Sequence, residues 1–158
     1  MNRNIHSNAA ADELFMQMAL EEAREAVREG EIPIGAVVTA GGRVVARAHN
    51  RTERLVDVTA HAEIIAVTAA ASHFGGKYLP DCTLYVTVEP CLMCAGALAW
   101  AQIGRVVYGT ADDKRGTHTY FGTDMLGCPP MHRRTQITAG VLADECRELM
   151  QSFFRERR

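Results

Sequence analysis

Two short motifs at the starts of helical segments constrain this chain more than any other feature. His61-Ala62-Glu63 opens one segment, and Pro90-Cys91-Leu92-Met93-Cys94 opens another, directly after a β-branched strand that ends at Val88-Glu89. Proline favours the first helical position, and two cysteines three residues apart lie on the same face of a helix. The unpaired N–H groups of a helix start also stabilise thiolate, the form of cysteine that binds metal. The spacing therefore predicts one metal site that draws on both helix starts.

The ligand types indicate which metal and which kind of site. One imidazole and two thiolates, from His61, Cys91 and Cys94, form a donor set that suits Zn²⁺. Three protein ligands leave one tetrahedral position open, as in catalytic zinc sites, where a bound water is acidified to roughly pH 7. Glu63 is then expected to move protons to and from that water rather than to bind the ion. We expect one zinc ion per chain.

Two other interpretations of the cysteine pair stay open. A redox dithiol accounts for Cys91 and Cys94, but it leaves His61-Ala62-Glu63 without a role. A structural zinc needs a fourth protein ligand, and the available residues have no recognisable paired spacing. These residues are Cys82, Cys128, Cys146, His49 and His73.

The hydrophobic periodicity along the chain alternates between strand and helix. A helix is predicted from Asp12 to Glu29, with Asp12 as N-cap and Gly30 closing the helix. A hairpin follows, with Gly41-Gly42 as its turn. The remaining pattern predicts strands at 34–39, 43–48, 82–88, 105–109 and 136–138, helices at 60–73, 91–102 and 141–154, a Thr59 N-cap, and a loop at 110–135. This order indicates an α/β fold, a three-layer α/β/α sandwich with a mixed five-stranded sheet.

Length and charge limit the broader class of protein. A chain of 158 residues fits one domain, which we expect to span 12–158 after a polar, disordered tail at 1–11. The net charge of −2 gives no overall attraction to nucleic acid. No export signal opens the chain, and the longest apolar run, 91–101, is too short to cross a bilayer. We therefore expect no membrane partner, reduced cysteines and a cytoplasmic location.

Beyond the metal motif, several stretches resemble the bacterial tRNA adenosine deaminase family of the cytidine deaminase-like zinc deaminases, whose signature is His-x-Glu followed by Pro-Cys-x-x-Cys. The resemblance runs from about Asp12 to the C-terminus. The stretches are Gly30-Glu-Ile-Pro-Ile-Gly-Ala-Val-Val, His49-Asn50, Thr59-Ala-His-Ala-Glu, Leu84-Tyr-Val-Thr-Val-Glu-Pro-Cys-Leu-Met-Cys-Ala-Gly-Ala, Ile103-Gly-Arg-Val-Val-Tyr-Gly, Gly140-Val-Leu-Ala-Asp-Glu-Cys and Phe153-Phe-Arg-Glu-Arg-Arg.

This resemblance implies a cytidine deaminase-like homodimer that converts the wobble adenosine of a tRNA anticodon stem-loop to inosine. It implies that Asn50 hydrogen-bonds the extruded purine, and that Ile34 and the backbone of Ala62 line the pocket. It also implies RNA contacts, near the anticodon nucleotides for Asp112 and Lys114, and along the binding groove for Phe153, Arg155, Arg157 and Arg158. From the residues alone, phenylalanines beside arginines suit stacking and phosphate contact with RNA, but phenylalanines at this spacing are more often core residues and arginines at a helix end are often solvated.

Three functions are consistent with these sequence features. The first is deamination of the wobble adenosine of tRNA. The second is a free-base or nucleoside deaminase of the guanine or cytosine type, which shares the metal motif but needs no RNA-binding segment. The third is an RNA-binding protein with a structural zinc, which would not need Glu63.

Overall fold

The computed structural model describes residues 8–117 and 131–157, and in them a five-stranded sheet lies between two pairs of helices. The elements are α1 (Ala9–Arg28), β1 (Gly35–Ala40), β2 (Arg43–His49), α2 (Ala62–Phe74), β3 (Cys82–Val88), α3 (Leu92–Trp100), β4 (Arg105–Thr110), β5 (Gln136–Ala139) and α4 (Ala143–Arg155). The predicted α/β fold is confirmed. Within the described residues, no helix combines the length and the apolar character needed to cross a membrane.

The strand order is β2-β1-β3-β4-β5. β1 runs antiparallel to both β2 and β3, whereas β3, β4 and β5 are parallel, so the sheet is mixed as predicted. Because of these directions, the start of β1 and the carboxyl ends of β2, β3 and β4 all lie at the same end of the sheet. The loops at this end can therefore meet around a common site.

Both faces of the sheet are buried because helices cover both. Successive strand residues point to opposite faces: Val38, Leu84 and Val106 belong to the core under α2 and α3, and Val37, Tyr85 and Val107 belong to the core under α1 and α4. Gly35 lets α1 pack directly on β1, because a Cβ at this position would lie 1.9 Å from the carbonyl oxygen of Ala19 in α1. Gly109 likewise leaves room for the Cys146 sulfur of α4.

The prediction that Asp12 caps the first helix is wrong. Asn8 is the N-cap, and its side-chain oxygen accepts from the N–H groups of Ala10 and Ala11. Asp12 is instead buried inside α1, where its carboxylate accepts two hydrogen bonds from Arg105 and one from the Tyr85 hydroxyl. The predicted tail, 1–11, overlaps α1 by three residues, and its first seven residues lie outside the described ones.

Two further predicted helix starts are also wrong. Thr59 does not cap α2; its hydroxyl donates to the Asp57 carboxylate, and the N-cap is His61. Pro90 is not the first residue of α3, because Cys91 is an extended N-cap and the helix begins at Leu92. A β-bridge between Cys91 and Gly116 accounts for the extended conformation of Cys91. Both candidate ligands that precede these helices therefore lie at N-cap positions.

Candidate metal centre and active site

The candidate site lies at the end of the sheet where β1 begins and β2, β3 and β4 end. Cys91 follows β3, and Asp112 follows β4. Ile34 precedes β1 and Asn50 follows β2, and the two are joined by a hydrogen bond from Asn50 N–H to the Ile34 carbonyl, 3.0 Å. The next residue, Arg51, donates its N–H to the carbonyl of Ala60, beside His61. These backbone hydrogen bonds therefore bring Ile34, Asn50 and the start of α2 to the same end of the sheet.

The three predicted metal ligands come together as expected. Their ligand atoms all lie within 4.8 Å of one another, and the Nδ1 atom of His61 is 3.7 Å from Cys91 Sγ and 3.5 Å from Cys94 Sγ. On a tetrahedral zinc ion, a nitrogen and a sulfur ligand are roughly 3.6 Å apart. The donor types and their spacing fit zinc. No other group of three or more His, Cys, Asp or Glu ligand atoms converges in this way within 8–117 and 131–157.

The two thiols differ in pKa because Cys94 donates a hydrogen bond to Cys91. A hydrogen bond from Cys94, together with His61, lowers the pKa of Cys91 to about 4. The same bond and burial raise the pKa of Cys94. The hydrogen bond with Cys91 also raises the pKa of His61. Cys91 therefore offers a thiolate at neutral pH, and metal binding would release the proton of Cys94.

Glu63 is buried one residue into α2, with 3% of its surface exposed. Its Oε2 atom has no hydrogen-bond partner, and the only other described buried side-chain atom without one is Arg51 Nε. Desolvation raises the pKa of Glu63 to about 7. A buried carboxylate oxygen without a partner is costly, and such groups are typical of catalytic sites. Glu63 adjoins the cluster without belonging to its ligand set.

The loop after β4 closes another side of the site. Asp112 donates its N–H to the buried carboxylate of Glu89, 3.2 Å, and its own side chain accepts from the N–H groups of Lys114 and Arg115. Gly116 packs on Glu89 so closely that a Cβ would lie 2.5 Å from the carboxylate. Thr117 donates twice to the Pro90 carbonyl. Asp112 and Lys114 are therefore held on a loop that is anchored beside Cys91.

Phe153 and Arg155 lie on α4, which covers the opposite face of the sheet from α2 and α3, and Arg157 follows the helix. Phe153 is buried under the guanidinium of Arg157, 4.1 Å from the ring centre, and Arg157 also donates to the Gly30 carbonyl. Arg155 pairs with Glu148 on the surface. Phe153 and Arg157 therefore take part in packing against the turn after α1. Arg158 lies outside the described residues.

Two buried carboxylates near the site were not identified from the sequence. Glu31 and Glu89 each accept backbone N–H groups from a loop that borders the site. Glu31 stands two residues before Pro33 in the turn ahead of β1, and Glu89 stands directly before Pro90 at the end of β3. The nearby proline was the only sequence feature that could have indicated these residues. A lone glutamate in a turn is more often solvated than buried, and only the tertiary packing shows that these two are buried.

The fold and the site together define the class of protein, a nucleobase deaminase with a His/Cys/Cys cluster that could hold a metal ion. The family model for MafB19-like deaminases matches residues 10–158. A guanine deaminase structure from Bacillus subtilis superposes with a TM-score of 0.60 and 40% identity, over 63% of this chain and 64% of that one.

The similarity to tRNA-specific adenosine deaminases covers more of the chain than the similarity to that guanine deaminase structure. A tRNA-specific adenosine deaminase of Agrobacterium fabrum is 45% identical over 91% of this chain and 94% of its own length. A structure from a study of A-to-I editing by tRNA:A34 deaminases at the wobble position of transfer RNA superposes with a TM-score of 0.78 and 43% identity, covering 86% of this chain and 98% of that one. The chain belongs to the tRNA-specific adenosine deaminase family.

Proposed function

We propose that this protein hydrolytically deaminates the wobble adenosine of a tRNA anticodon to inosine. The observation that carries the chemistry is the buried Glu63 oxygen, which has no partner and adjoins the His61, Cys91 and Cys94 cluster. The substrate class is supported by the identity with tRNA-specific adenosine deaminases over nine-tenths of the chain. In the reaction, the C6–N6 bond of adenine breaks, a C6–O bond forms from water, and ammonia leaves.

One zinc ion per chain is part of the proposal. His61 Nδ1 and the sulfurs of Cys91 and Cys94 would hold it. When bound, zinc supplies a Lewis acid that makes water available as a nucleophile near neutral pH. Among the described residues no fourth ligand converges on these three, which favours a catalytic ion over a structural one; Cys128, one of the candidate fourth ligands, lies outside those residues.

The chain's own residues bind the base and move the proton. Glu63 accepts a proton from the attacking water and returns it to the departing amino group, and its free Oε2 atom is the group for this task. Asn50 would hold the extruded purine by a hydrogen bond. Ile34 and the buried Ala62, which is the first helical residue of α2, would line the pocket.

The wider assignments follow from the family. Asp112 and Lys114 would lie near the anticodon nucleotides, and Phe153, Arg155, Arg157 and Arg158 would border the RNA. For Phe153 and Arg157, this requires RNA to contact a surface that they help to build by packing. We also propose a homodimer, a single deaminase domain over 12–158, and action in the cytoplasm on tRNA. The cytoplasm is supported by four described cysteines that form no disulfide, Cys82, Cys91, Cys94 and Cys146.

Guanine deamination is the second candidate. The observation that favours it is the 40% identity with a guanine deaminase structure across 63% of this chain. The metal cluster and Glu63 would serve either reaction, because both replace an exocyclic amino group on a purine by oxygen. The two functions differ in whether RNA around the base is required.

The deciding experiment compares RNA with free bases. We expect inosine to form in an anticodon stem-loop with adenosine at the wobble position. A stem-loop with the adenosine moved to a neighbouring loop position is the matched control and should react poorly. Nucleoside mass analysis measures inosine, and ammonia release is followed with guanine, cytosine and adenosine. Rapid ammonia release from guanine with an inert stem-loop would favour the second candidate.

A further inference from the structure

Glu31 is a fully buried carboxylate that accepts hydrogen bonds from a single turn. It receives the N–H of Arg54 at 2.7 Å and of Glu53 at 3.2 Å, the amide of Asn50 at 3.3 Å and the hydroxyl of Thr52 at 3.5 Å. No Lys or Arg pairs with it among the described residues. Burying an unpaired carboxylate is unfavourable unless its hydrogen bonds compensate. Here every compensating bond comes from residues 50–54.

These bonds fix which way the Asn50 amide faces. The Oε2 atom of Glu31 accepts the backbone N–H of Glu53 and faces Asn50 as an acceptor, so the Asn50 amide nitrogen is the atom that faces Glu31. The same nitrogen donates to the Thr52 hydroxyl, 3.5 Å. Both of its N–H groups are thereby used, and within 8–117 and 131–157 nothing bonds to the side-chain oxygen of Asn50. That oxygen is the acceptor that Asn50 has left for a ligand.

The turn that Glu31 holds is also tied to the candidate site. Asn50 N–H bonds to the carbonyl of Ile34, and Arg51 N–H bonds to that of Ala60, next to His61. A shift of the turn would therefore move Asn50 relative to the metal ligands. The Glu31 carboxylate bonds to Asn50 and its turn, and among the described residues it is not part of the metal-ligand cluster.

We propose that Glu31 is a positioning residue, which holds the 50–54 turn and fixes the Asn50 amide so that its oxygen can accept a hydrogen bond from the base or ribose of the substrate. This inference rests on the proposed function, in which Asn50 contacts the purine nucleotide. Glutamine in place of Glu31 keeps the size of the side chain. It cannot keep all the bonds, because its NH₂ group would face either the N–H of Arg54 or the donors of Asn50, Thr52 and Glu53.

The hold on the turn can be measured without any substrate. In Glu31→Gln, amide hydrogen exchange at Glu53 and Arg54 should accelerate by about 10-fold or more relative to the wild type, because both N–H groups lose a charged acceptor. Glu25→Gln is the control, since it removes an exposed carboxylate near the end of α1 that does not bond to the turn. Unchanged exchange at both amides in a folded Glu31→Gln protein would overturn the proposal.

Action through Asn50 is tested by a double-mutant cycle on kcat/KM. In the wild-type background, Glu31→Gln should lower kcat/KM roughly 10- to 100-fold, mainly through KM, because Asn50 binds the base before and during the reaction. In an Asn50→Ala background, Glu31→Gln should lower kcat/KM by less than about 3-fold, because the Asn50 amide that Glu31 positions is already absent. Full losses in both backgrounds would overturn the proposal.

The cycle also separates this proposal from the substrate assignment. If the wild-type enzyme deaminates guanine and ignores the stem-loop, the tRNA assignment fails and the same cycle is run with guanine. Non-additivity there would support Glu31 as the residue that positions Asn50, and additivity would contradict it. A 2′-deoxy substitution at the wobble adenosine distinguishes the partner of the Asn50 oxygen. If that substitution removes the Glu31→Gln effect, the ribose hydroxyl is the donor; if the effect persists, the base is.

Discussion

At the scale of single residues, the proposed site divides the work between holding an ion and moving a proton. His61, Cys91 and Cys94 point ligand atoms at one another, whereas the free oxygen of Glu63 is left out of that set. Both kinds of group begin a helix, where unpaired N–H groups favour negative charge. Because Glu63 is not a ligand in this arrangement, its loss and the loss of a ligand should have different consequences.

The prediction for Glu63→Ala is an enzyme that keeps its zinc and loses its activity. Deamination should fall by at least the ~10²- to 10⁴-fold that general acid–base catalysis contributes. Cys91→Ala should lose both, since it removes one of three ligands. Elemental analysis gives the zinc content, and inosine formation gives the rate.

Cys82→Ala is the matched thiol control. Cys82 is buried, burial raises its pKa to about 11, and it lies in β3 away from the cluster. This variant should keep its zinc. Loss of zinc in Glu63→Ala would instead make Glu63 a ligand, and near-normal turnover would leave it without a catalytic role.

At the scale of elements, one buried ion pair joins α1 to the sheet. Arg105 of β4 makes two hydrogen bonds to Asp12 of α1, at 2.7 and 2.8 Å, and a third to Thr138 of β5. Asp12 and its hydrogen bonds raise the pKa of Arg105, so the guanidinium stays charged in the core. This network lies under α1, on the face of the sheet opposite the metal ligands.

Asp12→Ala should therefore destabilise the fold without removing the metal site. Breaking a buried pair leaves an uncompensated charge and costs about 3–5 kcal/mol of unfolding free energy. Glu148→Ala, which breaks the exposed pair with Arg155, should cost less than about 1 kcal/mol. Urea unfolding of zinc-loaded protein measures both. Equal losses in the two variants would contradict a special role for the buried pair.

At the scale of the whole molecule, α3 leaves apolar side chains on the surface. The Trp100 side chain at its C-terminal end is 84% exposed, and Leu92 and Met93 at its start are each 38% exposed. The other side of α3 is buried against the sheet through Ala95 and Leu98. An exposed apolar surface on a helix that begins at the metal site suits contact with a second copy of the chain.

We predict a homodimer that uses this surface of α3. Light scattering at micromolar protein should give about twice the mass of one chain, and Trp100→Glu should shift the equilibrium towards the monomer because it places a charge in the contact. Leu14→Glu is the control, since Leu14 is an exposed apolar residue of α1, in the other helical layer. A wild-type protein that is monomeric at these concentrations would contradict the homodimer.

The sequence by itself determined the order of the elements, the mixed sheet and the group of candidate metal ligands. Hydrophobic period and turn residues are local properties, so the five strands and four helices could be predicted to within a few residues. The spacing of Cys91 and Cys94 and the type of donor in His61 are local as well. Together they indicated the metal before any distance was known.

Only the tertiary structure decided how buried carboxylates are used. Asp12 is typical of a helix cap in sequence, yet it pairs with Arg105, which lies 93 residues away. Glu31 is typical of a solvated turn, yet it is buried beneath Asn50. A local pattern records the residue type and its spacing, but the free energy of a buried charge depends on donors that come from elsewhere in the chain. Their positions exist only once the sheet and its loops are assembled.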